Sequence, residues 1–175
     1  SLRDMAKEIP IGVVELTNLA ETAGQLGIKK EHIVDFTRTV ADLSVATNIV
    51  GQEGATNMAR FANIMQMSQK DFDRMGASIV ELGNNTATTE KEILDMSMRL
   101  AGASYQAKMS EADVLGIAAA LSALGLESQA GGSAFSRVIN RIQLAIDTGS
   151  DDLENFARVA GMTPSQFAKA WGDDA

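Results

Sequence analysis

The sequence predicts an all-α fold, a compact array or bundle of about eight or nine short helices joined by tight turns capped by Gly, Ser or Thr. Three observations lead to this class. Apolar residues recur at intervals of three and four along most of the chain, as in amphipathic helices. Ser or Thr precedes several of these segments, and glycine follows them. No segment alternates β-branched and polar residues as a strand does, and only two prolines occur.

The apolar faces are clearest in four segments. They are Ile33, Phe36, Val40 and Leu43; Phe72, Met75, Ile79 and Leu82; Val114, Ile117, Leu121 and Leu124; and Val138, Ile142 and Ala145 with Ile139 and Ile146. Taken with the start and stop residues, the pattern predicts helices over 10–25, 30–47, 52–67, 69–82, 90–105, 111–124, 132–146, 151–160 and 164–171. The two prolines, Pro10 and Pro164, suit first helical turns, where a missing N–H costs nothing.

Helix starts carry a recurrent signal: an apolar residue, then Ser or Thr, then an acid or amide three residues later. The hydroxyl accepts a hydrogen bond from an unpaired N–H of the first turn, and the flanking apolar pair fixes the entering chain. Each such cap contributes about 1 kcal/mol. The signal occurs at Ser68–Asp71, Ser110–Asp113 and Thr163–Gln166, without the apolar lead at Thr89–Glu92, and in degenerate form at Lys29–His32.

Glycines are predicted to end helices, at Gly24 or Gly27, Gly83, Gly102, Gly125, Gly161 and Gly172. The helix starts are unevenly spaced, so the chain is not predicted to be a solenoid. A weak break falls at 147–150. It divides the chain into a helical core module, 1–147, and an acidic helix pair, 148–175, that packs on the module or extends from it. The pair contains the only tryptophan, Trp171.

Charge and composition exclude several classes of protein. The formal net charge is −8, which disfavours a nucleic-acid or anionic-membrane partner. There is no cysteine, hence no disulfide and no thiolate site. The longest apolar run, 114–126, is too short to span a bilayer. The sequence does not begin with Met, and we expect it to be a piece of a longer chain.

No catalytic, metal-binding or cofactor-binding residues are predicted, and the chain is not expected to be an enzyme. The single histidine, His32, cannot form a metal site alone, and it leaves serine nucleophiles without a base. The acid pairs Glu90/Glu92, Asp151/Asp152 and Asp173/Asp174 lie at predicted helix ends, where they favour the helix dipole. The segment 131–133, Gly-Gly-Ser, is interpreted as a flexible helix–helix connection rather than an anion cradle.

Three features could serve interactions instead. Asn84 and Asn85 predict a structured turn, with partner recognition as the alternative. The small residues of 116–132 indicate tight hairpin packing, a self-association face or an element that rearranges, and these alternatives stay open. Methionines are interpreted mainly as core, with an adaptable binding face as the alternative; they are Met58, Met65, Met67, Met75, Met96, Met98 and Met109.

Four long strings resemble the core region of bacteriophage tail tape-measure proteins. They are AETAGQLGIKKEHIVDFTRTVADL (20–43), ATNMARFANIM (55–65), VELGNNTATTEKEILDMSMRLAGA (80–103) and MSEADVLGIAAALSALGLESQAGGSAFSRVI (109–139). The C-terminal FARVAGMTPSQFAKAW (156–171) is also similar to the family. The chain is far shorter than a whole family member.

The resemblance implies a structural protein of the virion tail, from a phage or prophage, that sets tail length and supports assembly. It implies partners among the other tail proteins, namely the tail tube, the tail assembly chaperones and the tail tip. It implies the virion tail as the final location, after assembly in the host bacterial cytoplasm. The alternative from the residues is a generic helical adaptor that binds another protein. A cell-wall hydrolase and a membrane-inserting segment at 114–126 are weaker alternatives.

The predicted helices are short, about 10–18 residues each, and helices of that length are marginal in water on their own. They must bury their apolar faces against one another. We therefore expect a compact helical module rather than one continuous helix, which would span roughly 260 Å.

Overall fold

The computed structural model describes residues 1–173 of the chain. Within these residues the secondary structure is helical, with no strand, which confirms the predicted all-α class. The described part of the chain forms ten α-helices, where eight or nine were expected. They are α1 (Leu2–Glu8), α2 (Val13–Gln25), α3 (Ile33–Ala46, preceded by a 3₁₀ turn at Lys30–His32), α4 (Gly51–Met65), α5 (Phe72–Asn85), α6 (Glu90–Gln106), α7 (Glu111–Ala123), α8 (Ser128–Thr148), α9 (Asp151–Val159) and α10 (Pro164–Asp173).

The additional helix is α1, which is only seven residues long. Its apolar positions are too few to show a clear period, so the sequence pattern missed it. The expected start of the next helix at Pro10 was also wrong, because α2 begins after Gly12, which is extended and serves as its N-cap. Met5, Ile9 and Leu16 bury themselves in a small cluster that fixes α1 against α2.

Three of the predicted caps form as the sequence indicates. The hydroxyl of Thr89 accepts from the N–H of Glu92 at 3.3 Å, and the hydroxyl of Ser110 accepts from Asp113 at 3.2 Å. Thr163 and Gln166 complete the same reciprocal box at the start of α10, with N–H to oxygen distances of 3.0 and 3.3 Å. Ser68 behaves differently. It opens a turn in which Asp71 N–H donates to its carbonyl, and α5 begins only at Phe72.

Glycine was a less reliable signal than the hydroxyl caps. Gly27, Gly125 and Gly161 do follow helices and adopt positive φ, as predicted. By contrast, the predicted ends at Gly83 and Gly102 were wrong, since the two lie inside α5 and α6. The expected end at Gly172 was wrong as well, because α10 continues to Asp173.

Two expected turns are helix in the structure. Asn84 and Asn85 extend α5, and the Asn85 amide donates to the Glu81 carbonyl at 2.8 Å. Gly131 and Gly132, predicted to lie in a flexible connection, are buried inside α8. Glycine is needed here because of the packing of two helices. α8 passes so close to α6 that a Cβ on Gly132 would lie 2.4 Å from the Arg99 Cβ. Only glycine permits that approach.

The core is organised around α6, which contacts α4, α5, α7 and α8. Eight of its residues are buried. On the other side of α5, Phe36 and Phe72 meet edge to face with ring centroids 4.6 Å apart, which joins α3 to the main cluster. The largest fully buried side chains are Phe36, Phe61, Leu16, Leu19, Ile49, Met58, Ile79, Ile93, Leu94, Met96, Leu100 and Leu115.

Most of the methionines named above belong to this core, as predicted. Met58 and Met96 are completely buried, and Met65, Met67 and Met75 are at most 9% exposed. Their flexible side chains fill the irregular spaces between helices that cross at different angles.

The last two helices fold back against α8 and the end of α6. Arg141 on α8 donates two hydrogen bonds to the Asp152 carboxylate, at 2.8 and 2.9 Å. The Trp171 indole N–H donates to Gln143 at 3.1 Å, and the ring packs beside Ala103, Ala107 and Ile139.

The contact between α6 and α8 generates a stability prediction. Gly132→Ala should destabilise the chain by about 1–3 kcal/mol, because the new methyl group meets the base of a neighbouring side chain and α8 must shift. Gly131→Ala should cost less, since its methyl group would meet mainly the far end of the flexible Met96 side chain. Urea unfolding followed by circular dichroism measures both.

Gly102→Ala is the matched control. Gly102 also lies inside a helix, but its added Cβ would have no neighbour within 4 Å. This variant should gain roughly 0.5–1 kcal/mol from lower backbone entropy in the unfolded chain. Equal effects at positions 102 and 132 would contradict the close α6–α8 packing.

The packing of the short helices also predicts the shape in solution. Small-angle X-ray scattering of the purified chain should give a radius of gyration of about 16 Å, the value expected for a compact chain of this length. A rod-like profile approaching roughly 260 Å would refute the compact arrangement.

Candidate protein-binding surface

The described residues contain no group of three or more His, Asp or Glu side chains placed to hold a metal ion. His32 closes the 3₁₀ turn before α3 and is half-buried beside Glu31. The acid pairs stand at helix ends as expected, Glu90 and Glu92 in the first turn of α6 and Asp151 and Asp152 in that of α9. Asp174, the second member of the last pair, lies outside the described residues.

No helix among the described residues combines the length and the apolar character needed to cross a membrane. Residues 114–126, singled out in the sequence, form α7 and the turn after it. Val114 and Leu115 are buried against the core, whereas Leu124 is 77% exposed.

A polar cavity of about 400 Å³ lies between α6 and the turn that joins α7 to α8. Its lining includes Glu92, Asp95 and Arg99. The Glu92 carboxylate accepts hydrogen bonds at 2.9 Å from the Thr89 N–H and from the hydroxyls of Thr88 and Thr89. These bonds, with the backbone N–H first, lower the pKa of Glu92 below its usual 4.5. A carboxylate held in its charged form by a helix cap is poorly suited to donate a proton.

Lys91 is the other strongly engaged charge on α6. Its ammonium lies 2.8 Å from an Asp95 oxygen and 3.1 Å from a Glu53 oxygen on α4. The hydrogen bond to Asp95, followed by that to Glu53, raises the Lys91 pKa above 10.5. The amine therefore stays protonated at neutral pH and cannot act as a nucleophile. Lys91 joins two helices, and its role is structural.

Two grooves with mostly apolar linings lie on either side of α5. The first groove, between α3 and α5, has a volume of about 340 Å³. Its α3 wall carries Thr39, Asp42, Leu43 and Ala46, and its α5 wall carries Asp73, Gly76, Ala77, Val80 and Glu81. We call it the α3–α5 groove. A Cβ on Gly76 would lie 2.8 Å from the Thr39 methyl group, so the two helices pack closely at this glycine.

The second groove, between α5 and α7, has a volume of about 520 Å³. Leu82, Ala112, Leu115 and Gly116 contribute to it, and Ala77 and Glu81 border both grooves. Its one lining cation, Arg74, lies 3.4 Å from Glu111 on α7 and 3.6 Å from Asp71. Together the grooves form a mostly aliphatic, acid-edged face made by α3, α5 and α7.

The fold and this face define an all-helical protein with exposed apolar grooves. A family model for the phage-related minor tail protein matches residues 1–173, so the chain belongs to that family. Membership places the chain among phage tail components, indicates a non-enzymatic protein and points to other tail proteins as neighbours. No curated protein and no solved structure matches the chain.

Sequence reasoning did not identify the two grooves. Their walls come from residues far apart along the chain, and no single helix shows them. The available signal was Gly76, a glycine in the middle of an otherwise regular apolar segment, which often marks a close helix contact.

The hydrogen bonds of Glu92 predict a pH dependence. Because the pKa of Glu92 is lower in the folded chain, its stabilising effect is complete above the unfolded pKa and disappears as the pH falls through the folded pKa. Glu92→Gln keeps an acceptor for the Thr89 N–H but cannot titrate. The free energy of unfolding of the unmodified chain should therefore fall more steeply than that of the variant between about pH 5 and pH 3.

Glu31→Gln provides the comparison, because Glu31 is exposed and lies outside any capping box. Urea titrations at several pH values measure all three proteins. If Glu92→Gln and Glu31→Gln had the same pH profile, the capping role of the Glu92 carboxylate would be wrong.

Proposed function

We propose that this chain is a part of a tape-measure protein, which sets the length of the phage tail and supports tail assembly. The observation that carries the proposal is the family match over residues 1–173, read together with the long strings that resemble tape-measure cores. A structural role agrees with an interior of aliphatic side chains and with charged groups engaged in caps and ion pairs.

We further propose the two parts expected from the sequence, a core module at 1–147 and a helix pair at 148–175 that packs on it. The Arg141–Asp152 and Trp171–Gln143 contacts support packing rather than extension. The proposed location is the virion tail, reached after assembly in the host bacterial cytoplasm. The proposed partners are the tail tube, the tail assembly chaperones and the tail tip. Self-association through the small residues of 116–132 is a further proposal.

The second candidate function is a helical adaptor that binds another protein. The grooves beside α5 favour it, because a purely length-setting segment needs no shaped surface. The two functions make different demands on the sequence. A ruler needs a given number of residues, whereas an adaptor needs the particular side chains of its binding face.

Deletion and replacement of the segment in the parent phage separate these functions. An in-frame deletion should shorten the tails, by up to roughly 260 Å if this part of the ruler is extended helix in the tail. Replacing the segment with an unrelated helical sequence of the same length should then restore tail length. Electron microscopy of purified particles measures both strains.

The other outcomes are equally informative. If the deletion strain made normal tails of unchanged length, the ruler and assembly roles would both be wrong. If neither strain made tails, while the replacement protein was still present in the cell, the specific surface would be required, and the adaptor function would be favoured.

A further inference from the structure

The α3–α5 groove has an apolar floor and an acidic rim. Leu43, Ala46, Ala77 and Val80 supply aliphatic surface along its length. Leu43 is nearly buried, whereas Ala46 and Ala77 at the edges are exposed. An exposed aliphatic channel between two helices is a common seat for a third helix, which buries its own apolar side there.

Three carboxylates edge this groove, Asp42 from α3 and Asp73 and Glu81 from α5. None of them forms an ion pair among residues 1–173. The only hydrogen bond that Glu81 accepts through its side chain comes from Asn85, four residues along the same helix. Elsewhere on the chain, Asp95 and Asp152 do have cationic partners. Within residues 1–173, the groove therefore presents three carboxylates without an ion-pair partner.

The rim also sets a spacing. Asp73 and Glu81 are eight residues apart on α5, which places their positions about 12 Å apart along the helix axis. A partner helix lying parallel or antiparallel in the groove would match them with cations about two turns apart. Asp42, on the opposite wall, would face a third cation on the other flank of the same helix.

We propose that the α3–α5 groove binds a basic amphipathic helix of another protein. Its aliphatic residues lie on the groove floor, and Lys or Arg residues two turns apart pair with Asp73 and Glu81. Charge decides against a second copy of this chain as the occupant, because each copy carries a net charge of −8 and two copies repel. The inference does not require the chain to set tail length, so it stands or falls separately from the proposed function.

A designed peptide tests the groove directly. The probe is a fluorescein-labelled helical peptide of about 18 residues, with leucines on one face and lysines two turns apart on both flanks. Its fluorescence anisotropy should rise on titration with the full chain, and the affinity should weaken with added salt. In ¹⁵N NMR spectra, the shifted amides should be confined to 39–46 and 73–81. A peptide of the same composition in scrambled order should not bind.

The decisive variant removes the three rim charges together, Asp42→Asn, Asp73→Asn and Glu81→Gln. It should bind the peptide at least roughly tenfold more weakly. The matched control is Glu15→Gln, Glu31→Gln and Glu154→Gln, which removes the same charge from exposed positions outside the groove and should leave the affinity nearly unchanged. Circular dichroism verifies that both variants keep their helix content.

A second pair of variants tests the groove without removing any carboxylate. Ala77→Arg places a long cationic side chain on the α5 wall of the α3–α5 groove and should prevent peptide binding. Ala120→Arg, on the exposed side of α7, should leave peptide binding unchanged. Equal losses for the two triple variants would show a non-specific charge effect and overturn the proposal. The proposal is also overturned if neither the designed nor the scrambled peptide binds, or if the two bind equally. Sedimentation that showed the chain dimerising through this groove would overturn it as well.

Discussion

Four neighbouring helices bury α6, and this burial holds the core of the fold together. Such burial requires small side chains wherever two helix axes come close, and α6 supplies them with Ala101, Ser97 and Ser104. On α8, Gly131 and Gly132 leave room for Met96 and Arg99 of α6. The hydroxyl of Ser97 donates to the Leu94 carbonyl within the helix, while that of Ser104 has no partner among the described residues. An unpaired buried hydroxyl costs about 1–3 kcal/mol, which the packing around α6 must offset.

Local signals were sufficient for much of this fold. The boxes at Thr89, Ser110 and Thr163 involve residues only three apart, so their hydrogen bonds follow from the sequence alone. Apolar periodicity likewise identified the buried faces of α3 and α5, whereas the faces predicted for the segments of α7 and α8 included the exposed Leu124 and Val138. Ser68 shows the limit of this reasoning, because the same sequence signal is compatible with a turn as well as with a helix start. Here α5 begins only at Phe72, whose ring packs against Phe36.

Glycine marks the boundary between what was predictable and what was not. In one sequence the same residue ends α7 at Gly125, with positive φ, and allows α8 to approach α6 at Gly132. Ending a helix depends only on the neighbouring residues. The close approach of two helices depends on residues far apart in sequence, since Arg99 and Gly132 are more than thirty residues apart. The groove beside α5 belongs to the second kind, since Gly76 is explained only by Thr39 on α3.

These contacts constrain the arrangement that the proposed tape-measure role would require of the chain. Its helices are short, and short helices depend on tertiary packing for most of their stability. Drawing them into a line would expose Phe36, Phe61 and Leu100, all now fully buried, at a cost of about 1.5–3 kcal/mol for each such side chain. An extended arrangement therefore requires another protein surface to cover those faces. In the compact bundle, the apolar side of each helix is covered by other helices of the same chain. In an extended ruler it would be covered by another protein, and the helices themselves can be the same in both.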